Sequence, residues 1–126
     1  MKNTIATIII FGLLLGFVFY ANNILLNLCD DIILYTEEIS ELIELSDWQE
    51  AQNKSLDLIE LIEDEEVIVS VYVNHNDYDH ITDEAIQLSI YTKEENHMES
   101  IISVKSLKNS ATNIKQLHQT TIENIF

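Results

Sequence analysis

A chain of 126 residues with 22 acidic side chains, six lysines and no arginine carries a net charge of −16, which excludes nucleic acid as a ligand and makes an anionic lipid surface repulsive. The single cysteine, Cys29, excludes an intramolecular disulfide, so stability has to come from packing. With no proline, and with Gly12 and Gly16 as the only glycines, the rest of the chain holds neither a helix breaker nor an easy positive-φ residue, which favours helices over sheets joined by tight hairpins.

The first predicted element is a membrane span. No residue from Asn3 to Cys29 is charged, and from Ile5 to Ala21 only Thr7 is polar. At ~1.5 Å rise per residue that stretch is close to the ~30 Å hydrocarbon thickness. Asn22 and Asn23 mark the exit into the headgroup layer, where water satisfies their amides, and Phe17, Phe19 and Tyr20 form an aromatic group just inside it. A removable signal peptide is the rival reading, but Phe19 stands where cleavage after Ala21 would need a small residue. A lipoprotein reading fails because Leu28 precedes Cys29.

Lys2 and the N-terminal amine stand on one side of the span, against no basic residue on the other until Lys54. The positive-inside rule therefore places the N-terminus in the cytoplasm and the acidic remainder outside the cell membrane. The expected organisation is an anchor over residues 1–23 and an acidic extracytoplasmic helical domain over residues 24–126. Gly12 and Gly16 form a GxxxG stripe through which two spans could pack as a homodimer, or they are ordinary span composition. Cys29, beside the outer face, reads as a small apolar interface residue or as a disulfide between two copies.

Apolar residues recur at Leu28, Ile32, Tyr35, Ile39 and Leu42, so the span and the first soluble helix are predicted to be one rod. Ser46, with Gln49 three residues on, reads as the N-cap of a second helix starting near Asp47. Its buried face would hold Trp48, Ala51, Ser55, Leu58 or Ile59, and Ile62, with Trp48 as core anchor. Val67 to Val73 has strand propensity, yet no second strand exists to pair with it, so a short buried helix is expected.

After a polar turn from Asn74 to Asp77, Tyr78, Ile81, Ala85, Leu88 and Tyr91 trace another helix, capped by Asp77 or Asn76. A last helix from about Glu95 places Met98, Ile101, Val104 or Lys105, Leu107, Ala111, Ile114, Leu117 and Thr121 or Ile122 on one stripe. Its lysines Lys105, Lys108 and Lys115 would oppose the acidic first and second helices. The fold class is all-α: a transmembrane helix continuing into an antiparallel bundle of about four to five helices.

The residues with the most metal-binding character are His75, His80 and Glu84; His80 and Glu84 share a helix face, and His75 could swing in from the turn. The segment lacks the glycine and twelfth-position glutamate of an EF-hand and has no HExxH spacing, so a solvated helix cap is the plainer reading. No Ser or Cys stands in a glycine-rich elbow, and no catalytic residue or cofactor is expected.

Several short sequences, namely Lys2-Asn3-Thr4-Ile5, Tyr20-Ala21-Asn22-Asn23, Cys29-Asp30, Asp47-Trp48 followed by Ala51, Asn74-His75 and the ending Glu123-Asn124-Ile125-Phe126, carry a resemblance over nearly the whole chain. It resembles a family of small single-pass membrane proteins of clostridia and other Firmicutes, known as domain of unknown function 4363. The resemblance implies an anchored helical extracytoplasmic domain and no activity or site residue to transfer; Val67 to Val73 departs from it, being more β-branched than the plainly helical segment the family carries there. The function expected is non-enzymatic contact with an unknown protein partner at the outer face of the membrane. The alternative is an extracytoplasmic sensor or binder of a small ligand or divalent cation.

Overall fold

A computed structural model describes the backbone of residues 1–125 and the side chains of residues 1–119. Among these it contains five helices and no strand: α1 (Lys2–Glu44), α2 (Trp48–Asp64), α3 (Glu66–Tyr72), α4 (His75–Lys93) and α5 (His97–Ile125). The all-α expectation holds, and the apolar N-terminal stretch and the first bundle helix are one uninterrupted rod of 43 residues.

The four long helices form a ring in which α1 touches α2 and α5, and α4 touches α2 and α5. Neighbours run antiparallel. Lys115 meets Asp30 at 2.6 Å and Lys108 meets Glu37 at 3.4 Å, which sets α5 against α1, while Lys54 pairs with Glu38 across α1 and α2. The α5 lysines thus reach α1 but not the acids of α2, because α2 lies diagonally across the ring.

Each helix turns a stripe of threes and fours inward: Leu25, Cys29, Ile32, Thr36, Ile39 and Ile43 on α1; Ala51, Ser55, Leu58 and Ile62 on α2; Tyr78, Ile81, Ala85, Leu88 and Thr92 on α4. This is the spacing of coiled-coil-like bundle packing, and the small Ala51, Ser55 and Ala85 let helix axes approach closely. On α5 the expected stripe holds at Val104, Leu107, Ala111 and Ile114, with Ile101 partly buried against the core, and it fails at Met98 and Leu117. Ser100, Ser103, Val104, Leu107, Ala111 and Ile114 are buried, whereas Met98 and Leu117 stand 70% and 62% exposed. Counting large apolar residues misses Ser100 and Ser103, because α5 sits between α1 and α4 and presents these short side chains to them. Thr121 and Ile122, assigned to the same stripe, have side chains outside the described residues, as does Phe126.

Two helix reversals use one device. Ser46 adopts φ 57° and Glu95 φ 58°, each as the left-handed residue that follows a helix. At the first, the Ser46 and Asp47 amides donate to the carbonyls of Ile43 and Leu42; at the second, those of Glu95 and Asn96 donate to Thr92 and Tyr91. Both are Schellman closures made without glycine. The next residue then caps the following helix: Asp47 accepts from the Glu50 amide, and Asn96 from the Glu99 amide. Ser46 is therefore not the N-cap of α2, since its backbone is committed to ending α1. Asn74, rather than Asn76 or Asp77, caps α4 by accepting from the Asn76 amide. The expected turn from Asn74 to Asp77 is already the first turn of that helix.

Val67 to Val73 is helical through Tyr72 despite its β-branched composition. Tertiary contact outweighs a local preference worth at most ~1 kcal/mol. The helix is buried on one side only: Val69 and Val73 are enclosed, while Val67 and Val71 are 78% and 70% exposed.

Candidate functional site

The stretch of α1 before the bundle is apolar and exposed. Ile8, Ile9, Phe11, Leu13 and Leu14 are each more than half exposed and point around the whole circumference of the helix. In this stretch α1 is long and apolar enough to cross a membrane. A Cβ added at Gly12 or Gly16 would meet nothing within 4 Å, so the small-residue stripe is an open surface.

Where that sleeve enters the bundle, a polar group closes the junction. Asn22 is only 5% exposed, and the Tyr72 hydroxyl donates to its Oδ1 at 3.2 Å. Asn22 is thus satisfied by protein rather than by water, a correction to its reading as a solvated exit marker; Asn23 alone is exposed. The Tyr72 ring also meets the His118 ring at 5.0 Å between centroids. Burial holds the His118 imidazole below the usual histidine range, with the Asp77 carboxylate pulling the other way.

Above this layer, the Tyr78 hydroxyl donates to the Ile62 carbonyl in the last turn of α2, where the break before α3 leaves carbonyls without helical partners. Burial, reinforced by Glu66, Glu63 and Glu65, pushes the Tyr78 phenol up to about 12. Cys29 is 1% exposed, and burial with the adjacent Asp30 raises its thiol to about 12 against the opposing pull of Lys115. The thiol is free and enclosed in the core, which fits Cys29 as a small apolar packing residue and does not present it to a second copy.

The metal candidates do not converge. His75 lies in the first turn of α4 and pairs with Asp79 at 3.1 Å. Among the described residues no three of His, Cys, Asp and Glu are grouped closely enough to hold an ion. His80 instead borders a groove of about 180 Å³ with Asp77 and Ile114. A second groove of about 410 Å³ lies between α1 and α5, edged by Glu37, Glu41 and Lys108.

Trp48 opens α2 at the far end, half-buried against the core and meeting His97 edge to face at 6.4 Å between centroids. The Asn22, Tyr72 and His118 junction went unread in the sequence. One signal could have found it: moving from Ile32 toward the N-terminus by threes and fours reaches Cys29, Leu25 and then Asn22, which puts the amide on the buried stripe.

The family described as Domain of unknown function (DUF4363) matches residues 19–125, and the chain belongs to it. The match begins inside the apolar sleeve and takes in the whole bundle. No curated protein and no solved structure matches the chain.

Proposed function

We propose that this member of the family is a membrane-tethered, non-enzymatic helical module that holds its acidic bundle outside the cell membrane and acts by contacting another protein there. The single observation that carries the reading is the continuity of α1, apolar and exposed over Ile5 to Tyr20 and packed into the bundle from Ala21 on without a break. A sleeve of that kind in water would expose contiguous apolar surface far beyond what soluble proteins tolerate, whereas hydrocarbon accepts it. Because the helix has no hinge between its halves, the bilayer sets how the bundle is presented. The acidic surface is repelled by anionic headgroups, which favours a bundle held clear of the lipid along most of its length.

The test is extraction and topology on the full chain. Alkaline washing of membranes leaves the protein in the pellet, detergent releases it, and protease added to intact cells trims the bundle. Recovery in the soluble fraction without detergent refutes the anchor, and protection until lysis refutes the orientation. Photo-crosslinkers at the exposed Leu34, Ile86 and Ile90 are expected to yield discrete protein adducts. Pairing through the sleeve is read separately. Gly12→Leu with Gly16→Leu lowers span association in a membrane two-hybrid assay if the glycine stripe is the contact, and unchanged association removes it.

A further inference from the structure

The exposed face of α3 has a specific place in the fold. Val69 and Val73 line one apolar space with Leu25 of α1, Tyr78 of α4 and Ile114 of α5, so α3 crosses the end of the ring and closes the core from below. Tyr72 reaches Asn22, the point at which the apolar sleeve leaves the bundle. The closed end of the bundle is therefore the end that faces the membrane. Val67 and Val71, one turn apart and opposite Val69, point away from the core on that same end.

We propose that α3 is a second lipid contact: its Val67 and Val71 side chains rest in the interfacial layer of the bilayer that α1 crosses. This rests on the anchored reading above, and it deepens it by naming where the bundle touches lipid. Continuity with the sleeve argues for lipid as the occupant, because a surface beside Asn22 meets the headgroup layer as soon as α1 is inserted. Charge narrows the lipid. Four acids, Glu63 to Glu66, lead into α3, and no lysine occurs between Lys54 and Lys93, so the contact suits neutral or zwitterionic headgroups over anionic ones. Two valines on a helix held by the fold need only shallow burial, at the depth of interfacial apolar faces. The contact also gives the β-branched segment a use: Val69 and Val73 meet the core, while Val67 and Val71 meet lipid with Glu66 and Ser70 at the edge of that outward face.

The test uses the full chain carrying Trp48→Phe, reconstituted in phosphatidylcholine vesicles, with one tryptophan restored at Val71, at Val67 or, as reference, at Tyr20. Lipid brominated near the glycerol end of its acyl chains is expected to reduce emission from Val71→Trp and Val67→Trp about twofold, as it does for Tyr20→Trp. Quenching of Tyr20→Trp alone overturns the α3 contact while leaving the anchor standing. Quenching at none of the three removes the anchor itself. Blue-shifted but unquenched emission at position 71 means that protein, such as a second copy, covers α3, and this too overturns the proposal.

Discussion

The two halves of α1 share one unbroken backbone and opposite surroundings. From Ile5 to Tyr20 apolar residues fill every angle of the helix and none is buried; from Leu25 to Ile43 the buried apolar residues keep to one stripe, with Leu25, Ile32, Ile39 and Ile43 at most 2% exposed, while Leu34 off that stripe is 52% exposed. The mere presence of isoleucine and leucine does not separate these two outcomes, but their angular distribution does. A helix apolar all round finds no aqueous arrangement that hides it, whereas a stripe with acids between can be hidden by three neighbours. The same residue type therefore does different work on either side of Ala21.

Truncation on each side breaks the comparison most sharply. Ile39→Ala removes a fully enclosed side chain and is expected to lower bundle stability by about 2–5 kcal/mol in thermal or denaturant unfolding. Leu13→Ala, in the sleeve, leaves that unfolding unchanged, and a comparable loss there would mean that the sleeve packs on the bundle. Tyr72→Phe, at the junction, strips the Asn22 amide oxygen of its donor and costs about 1–3 kcal/mol, read in the same way.

Substitutions at the reversals sharpen the comparison from the other direction, since they stabilise the packed half without touching the sleeve. Ser46→Gly and Glu95→Gly relieve a left-handed backbone that L side chains tolerate poorly, and each is expected to add about 1 kcal/mol. A decrease at either position would show that its side chain makes a contact worth more than the strain. Ser100→Ala removes a fully buried hydroxyl that has no hydrogen-bond partner and raises stability by up to about 1 kcal/mol.

The smallest effect is at His118. Its folded pKa is depressed, so between the ordinary histidine value and that lower one the unfolded chain binds a proton that the folded chain does not. Stability from this group is complete above the ordinary value and declines as pH falls below it. His118→Gln flattens that portion of the stability profile relative to the parent, and identical profiles would show that the ring is not held neutral.

Much of this was legible because it rests on local pattern. The rod, the stripe of α2 and the apolar positions of α4 follow from spacing alone, since a side chain three or four residues on returns to the same face. The serine positions of the α5 face were not legible: Ser100 and Ser103 look solvent-facing until a neighbouring helix comes close enough to cover them. Nor was the Ser46 reversal, because Ser46 followed by Gln49 satisfies the capping pattern as well as Asp47 followed by Glu50 does. The choice between them turned on which residue had to end α1.

By itself the sequence determined that the chain is helical, acidic and apolar at one end, because composition and periodicity act residue by residue. Only the tertiary structure decided that Asn22 is buried under Tyr72, that Cys29 is closed off, and that α3 covers the end of the bundle from which the apolar stretch of α1 leaves. Each of those depends on which helix lies beside which, and the ring order arises from all the helices packing at once.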